Sequence, residues 1–324
     1  MIYTQSFMMV LAFLTAALTF SRAIRPWHII VLAFGFGLGN AFDAPARQAI
    51  VQELVDPLDM TNAIALNSAM FNMATALGPA VGGVLYSLFG PAWCFTINGL
   101  SFIAVIAALG AMRLRPFIRP AVRNTVRTDL KEGLRYVVNH RLIRTIVSLV
   151  AVISLFGFAF ATLIPAWAVK ILHGGAATNG WLQSVRGLGA LAAALLIASL
   201  GRFKFRGRLL TFGSIAFPAL VVVFAFVRRL PLSLVVLFGV GFALILVFNL
   251  ANAAVQSLVP DALRGRVMSI YSLTFFGSLP IGSLLIGWTA ARLGEPGTVA
   301  VFAGVTLLYA ALLAAVVPQL RRLE

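Results

Sequence analysis

Acidic side chains are scarce in this sequence, with nine Asp and Glu against 25 Lys and Arg among 324 residues. A catalytic or metal site built on clustered carboxylates has little to draw on. Cys94 is the single cysteine, which excludes an internal disulfide and a zinc site made of cysteines. The three histidines, His28, His140 and His173, are scattered, and no H-E-x-x-H occurs. Lysine is limited to Lys131, Lys170 and Lys204, and without a G-x-x-x-x-G-K-[ST] an ATP-driven pump is disfavoured. These absences argue against an enzyme, and neither a cofactor nor a metal is expected.

What the sequence has in abundance is apolar surface. Hydrophobic residues make up 61% and charged residues 10%, with a mean hydropathy of +0.99, which is the composition of an integral membrane protein. A net charge of +16 would suggest nucleic acid in a soluble chain. Here the arginines fall in short clusters between apolar runs, so membrane topology explains them and no nucleic acid is expected. The opening run "MIYTQSFMMVLAFLTAALTF" lacks a basic start and an A-x-A-like site, so it reads as a spanning helix rather than a signal peptide.

A span needs about 20 mostly apolar residues. Punctuation by Arg, Pro and Gly gives ten such stretches, near 4–21, 27–43, 63–88, 92–112, 144–169, 179–200, 208–227, 231–255, 266–291 and 298–317. One set of alternate connections holds Arg47, the nine basic residues from Arg113 to Arg144, Arg202, Lys204, Arg206, Arg208, Arg264, Arg266, Arg321 and Arg322. The other holds Arg22, Arg25, Lys170, Arg228, Arg229 and Arg292. Lys and Arg are retained on the cytoplasmic side, so the first set is expected there with both termini.

The long connection contains "TDLKEGLRYVVNH", in which Leu130, Leu134, Val137 and Val138 recur at helical spacing against a charged face. It predicts an amphipathic helix along the cytoplasmic surface. The expected organisation is residues 1–112 as four spans, 113–143 as a cytoplasmic linker, and 144–324 as a six-helix bundle.

The chain also resembles itself. The segment from Val51 aligns without gaps on that from Val255, an offset of 204 that pairs Ser68 with Ser272, Phe71 with Phe275, Gly78 with Gly282, Gly83 with Gly287 and Gly90 with Gly294. The same offset carries the first four spans onto the last four in parallel order, the mark of a duplicated helical unit. The economical expectation is a twelve-helix protein of two six-helix halves from which this chain lacks the first two helices. A ten-helix protein is the alternative.

The segments "FDAPARQAIVQELV", "NAIALNSAMFN", "GPAVGGVLYSLFG", "FTINGLSFIAVIAALGAMR", "LKEGLRYVVNHRLIR" and "GWLQSVRGLGALAAALL" occur in that order. Together they resemble the major facilitator superfamily, in its branch of enterobactin-exporter-like and macrolide-efflux-like proteins. The resemblance covers nearly the whole chain from Thr4. It implies an all-α membrane fold of two six-helix bundles, and a bacterial inner-membrane transporter working by alternating access. A proton-coupled exporter of a drug-like compound or siderophore is expected, acting as a monomer. An inactive or sensor-type fragment, or an uptake protein, are the alternatives. The superfamily's signature loop between helices two and three has no counterpart except its second-half echo, where Arg206, Gly207 and Arg208 resemble the basic end. The arginine often found in helix four of proton antiporters is absent between His28 and Asn40.

Individual residues carry two readings each. In "GPAVGG", Gly78, Gly82 and Gly83 allow close helix approach and Pro79 bends the helix, which serves either packing or a gate. Arg186 is the basic residue inside a span, where a charge costs about 2.5 to 3.5 kcal/mol on insertion scales. It faces a cavity or snorkels to the surface. Asn67, Asn72, Asn249, Asn252 and Gln256 are amides in or near repeat-related spans that either bond between helices or contact a polar-decorated substrate. Asp43 and Arg47 flank Pro45, which suits the first turn of a new helix capped near Asp43. Their offset mates, Val247 and Ala251, are apolar. Charges confined to one half point to a cytoplasmic gate.

Overall fold

The computed structural model describes residues 1–54, 66, 70, 73–74, 77–78, 81–86, 88–112, 126–200 and 205–322. In chain order the elements are α1 (Ile2–Phe20), α2 (Pro26–Leu54), α3 (Pro91–Ala111), α4 (Val126–Asn139), α5 (Arg141–Val152), a π-helical turn (Ile153–Gly157), a 3₁₀ segment (Phe158–Leu163) and α6 (Ile164–Lys170). There follow α7 (Ala176–Leu200), α8 (Arg206–Phe226), α9 (Leu230–Leu258), α10 (Asp261–Val316) and a 3₁₀ turn (Pro318–Arg322). Regular structure among the described residues is entirely helical.

Seven helical stretches among the described residues are long and apolar enough to cross a membrane. The last, Leu263–Val316, has 54 residues. As one straight helix it would be about 80 Å long at 1.5 Å per residue, far more than the ~30 Å a hydrocarbon core requires. It holds the two expected spans 266–291 and 298–317, separated at Gly294. Expected span 27–43 lies in α2, which is not one of the seven, and 63–88 falls largely outside the described residues.

The internal repeat has a conformational signature. Gly90 has φ 79°, ψ 174° and its mate Gly294 has φ 72°, ψ 164°, a region almost closed to residues with a Cβ. Each begins a helix with a proline in its first turn, Pro91 and Pro296, whose fixed φ suits that position. The same turn is therefore built twice, 204 residues apart.

Two compact units make up the chain: Met1–Phe71 with Val81–Pro120, and Asn72–Ala80 with Ala121–Glu324. In the first, α1 buries Gln5, Met8, Ala12, Thr15 and Ala16, one helical stripe. Gly35 and Gly39, one turn apart on α2, let α1 approach. A Cβ at Gly35 would lie 2.9 Å from Leu11, and one at Gly39 2.7 Å from Met8. Gly99 of α3 sits under the Phe13 ring in the same way.

The second unit is cored by Trp167, Phe160, Phe217 and Phe224, with the Trp167 and Phe224 rings stacked at 4.6 Å. Its surface carries the amphipathic helix, α4, as expected from the sequence. Gly133 lies against the backbone of Arg266 in α10, and Glu132 forms an ion pair with the Arg266 guanidinium. Val137 turns inward while Leu130, Leu134 and Val138 face outward. The expected single apolar face is thus divided between the bundle and its surroundings.

At the other end of this unit, Lys170 Nζ meets Glu295 Oε1 at 2.5 Å. The Lys170 hydrogen bond holds the Glu295 carboxyl below its ordinary range.

Candidate functional site

The span from Arg141 to Lys170 is the one whose backbone departs most from regular helix. Phe158 N–H bonds to Ile153 C=O, five residues back, which closes the π turn. Pro165 has no N–H to offer Ala161 C=O, and Ile164 N–H takes that acceptor in 3₁₀ register. Gly157 and Gly282 let neighbours press against this irregular segment. A Cβ at Gly282 would lie 2.1 Å from Leu155 O, and one at Gly157 2.7 Å from Phe217. Across the same contact, the Thr162 and Ser283 hydroxyls hydrogen-bond at 3.0 Å.

Facing that segment is Arg186. Its guanidinium carbon lies 5.6 Å from the Phe158 ring centroid, within cation–π range. Arg186 is ten residues into α7, so about 15 Å from the helix start. Its Nη1 is fully buried, so the guanidinium turns inward here and does not extend to a surface. The helix is held there by a reciprocal glycine crossing with α9: a Cβ at Gly189 would be 1.9 Å from Phe238 O, and one at Gly241 1.9 Å from Arg186 O. Any side chain at either glycine would force the backbones apart.

Arg186 Nη1 is buried with no hydrogen-bond partner, as are Gln183 Oε1 and Asn179 Oδ1. Positions 179, 183 and 186 are spaced i, i+4, i+7 and share one helix face. A buried polar atom left unpaired costs about 1 to 3 kcal/mol, so three along one face are not explained by packing. Sequence reading singled out Arg186 and missed Asn179 and Gln183, whose helical spacing from it was the available signal.

The amides of α9 lie differently. Gln256 Nε2 donates to Asn252 Oδ1 at 2.6 Å, and Arg264 Nε donates to Gln256 O at 3.1 Å. Asn249 and Gln256 are exposed and Asn252 half-buried, a polar face on an otherwise apolar helix. Asn67 and Asn72 lie outside the described residues.

Asp43 is an interior residue of the first unit. Its carboxylate is 1% exposed and collects Thr4 Oγ1 on Oδ1 at 2.9 Å, with Gln5 Nε2 at 2.8 Å and Arg47 Nη2 at 2.9 Å on Oδ2. The expected helix start at Pro45 is not found. α2 runs through to Leu54, so Asp43 is a mid-helix residue that ties α2 to the beginning of α1 instead of capping a new helix. Arg47 is the accessible partner, with 60% of its side chain exposed. The mates Val247 and Ala251 are fully buried in the second unit's apolar core, so one unit uses a charged hub where the other uses packing. The signal missed in the sequence was Thr4 and Gln5 opening an apolar span.

The close packing expected of Gly78 and Gly82 is not seen among the described residues, since a Cβ at either meets nothing within 4 Å. The tight approach occurs instead at Gly282, the mate of Gly78. Gly83 is half-buried and Pro79 lies outside the described residues. Arg206, Gly207 and Arg208 open α8, with Gly207 buried and its carbonyl accepting from Thr211 Oγ1 at 2.8 Å. Cations at a helix N-terminus oppose the macrodipole, so the dipole does not account for arginines at this position.

A family model described as transmembrane secretion effector matches residues 1–324. The multidrug efflux pump Tap of Mycolicibacterium fortuitum is 28% identical over 307 residues, which cover 92% of this chain and 74% of that protein. The staphyloferrin A transporter of Staphylococcus aureus is 25% identical, covering 86% and 69%. The enterobactin exporter EntS of Citrobacter koseri is 24% identical, covering 93% and 73%. Among solved structures, a crystal structure of the peptide transporter POT superposes with a TM-score of 0.76 at 15% identity, over 99% of this chain and 80% of that one, a likeness of fold. The chain belongs to the transmembrane secretion effector family of the major facilitator superfamily, and is a multi-pass membrane transporter of small molecules rather than an enzyme.

Proposed function

We propose that this chain is a secondary active exporter that moves an amphipathic small molecule, drug-like or siderophore-like, out of the cytoplasm by alternating access driven by proton entry. The observation that carries the reading is the family match over residues 1–324. Further support comes from relatives described as an efflux pump and an exporter. Arg186 of α7 and Asn249, Asn252 and Gln256 of α9 supply polar contacts to the substrate within apolar spans, together with Asn67 and Asn72. The buried Asp43 carboxylate anchors Arg47, whose exposed guanidinium makes and breaks gate contacts as the transporter changes state. Arg206, Gly207, Arg208 and the segment Gly78, Pro79, Gly82 and Gly83 belong to the same conformational machinery. Both termini lie in the cytoplasm and the working unit is a monomer.

Accumulation in bacterial cells of ethidium and of carboxyfluorescein, loaded as its membrane-permeant diacetate, with and without the chain tests this. Lower accumulation with the chain, abolished by a protonophore, is expected. Equal accumulation of both dyes in both strains overturns export, and a difference that survives the protonophore overturns proton coupling.

A further inference from the structure

Resting on that transport reading, we infer that the Asn179–Gln183–Arg186 face of α7 is an anion subsite, and that the preferred substrate is an organic anion carrying hydroxyl or amide groups beside its charge. An arginine kept for structure alone would be matched by a carboxylate or carbonyls. Among the described residues, the ion pairs join Arg47 to Asp43, Lys170 to Glu295 and Arg266 to Glu132, and Arg186 takes part in none. Its Nη1 has no acceptor, and the neighbouring Phe158 ring, 5.6 Å from the guanidinium carbon, supplies a π face but no hydrogen-bond acceptor of the carboxylate or carbonyl kind.

The buried amide atoms left unpaired are Gln183 Oε1 and Asn179 Oδ1, and among the described residues neither side chain's NH₂ has a hydrogen-bond partner, so each amide can accept or donate. A guanidinium edge followed by two amides is the complement of an oxyanion followed by hydrogen-bonding groups. Three residues of helix separate Gln183 from Arg186, about 4.5 Å, and seven separate Asn179 from it, about 10 Å. That is the length of a small molecule. All three residues are half-buried although the named atoms are fully buried, so the track lies at the margin of the packed interior.

The reciprocal glycine crossing gives the site its rigidity. Gly241 presses on the carbonyl of Arg186 itself, so the residue bearing the charge sits at the most constrained point of α7. A cationic substrate would meet an uncompensated positive charge there, so the site discriminates by charge sign.

The test uses the full chain purified in detergent, with carboxyfluorescein as the anionic probe, which carries carboxylates and a phenol, and ethidium as the cation. Binding is read by fluorescence anisotropy. Carboxyfluorescein binds saturably to the wild type. Arg186→Gln weakens it about 10-fold or more, Arg186→Lys by no more than about threefold, and Gln183→Leu by about threefold. Ethidium affinity is unchanged or tighter in Arg186→Gln. Absence of saturable carboxyfluorescein binding, equal affinity in Arg186→Gln, or equal loss for both dyes overturns the proposal. Carboxyfluorescein binding without efflux of either dye from cells sinks the export reading and leaves the anion subsite standing, while efflux without anion binding does the reverse.

Discussion

At the scale of single residues, opposite charges were visible in the sequence but their settings were not. Asp43 and Arg47 are four apart on a helix, a spacing that pairs them in any helical register. What the spacing could not show is that Thr4 and Gln5, far away in sequence, complete the carboxylate's partners. Asn in place of Asp43 can keep its amide oxygen toward Gln5 and Arg47 and turn its NH₂ to Thr4 Oγ1, whose proton goes to Met1 O, but the negative charge is lost. Loss of charge-assisted bonds in a buried site is expected to cost about 2 kcal/mol. Arg47→Gln removes an exposed partner and is expected to cost at most about 1 kcal/mol. Thermal unfolding of the purified protein in detergent checks both, and equal small shifts would show that the hub contributes little.

At the scale of elements, the apolar runs gave the spans, and interruptions in them gave the breaks. Gly294 divides α10 between the two expected spans, whereas the irregular segment at Gly157 and Pro165 lies inside 144–169, a single expected span in which no break was read. The crossing of α7 and α9 was not legible, because Gly189 and Gly241 look like any other glycines in apolar helices until the two backbones are brought together. Gly189→Ala and Gly241→Ala are each expected to lower the unfolding temperature markedly, since a Cβ there collides with a backbone carbonyl. Gly304→Ala is the control: a Cβ there meets nothing within 4 Å, and its helix should be unharmed or gain up to about 1 kcal/mol. The Lys170–Glu295 pair joins α6 to the turn that begins at Gly294. The folded-state pKa of Glu295 is depressed, so its contribution is present above the unfolded pKa, near 4.3 on the usual scale, and is lost as pH falls through the folded value. Melts of the wild type and Glu295→Gln should therefore converge as the pH is lowered from 7 into the acid range. Parallel curves across that range would remove the pair from the account.

At the scale of the whole molecule, the distribution of basic residues leads to a topology, and the single native cysteine makes that topology easy to test. In a Cys94→Ser background, a cysteine replacing Arg229 should react with a membrane-impermeant maleimide in intact cells. One replacing Arg208 should react after permeabilisation only. Both positions are exposed, so a reversed pattern would reverse the orientation and with it the cytoplasmic assignment of both termini. The membrane class, the helical fold and the parallel repeat were determined by the sequence itself, because bilayer thickness sets the length of apolar runs and a duplicated unit repeats its turns. Gly90 and Gly294 show how far this reaches, sharing a positive φ that an alignment offset already joined. Tertiary structure alone decided which polar groups are paired. Asp43 found its donors on another helix, while Arg186, Gln183 and Asn179 were left open on theirs, because hydrogen bonding depends on what a neighbouring helix presents across a gap of a few ångströms, and a single strand of sequence does not contain that distance.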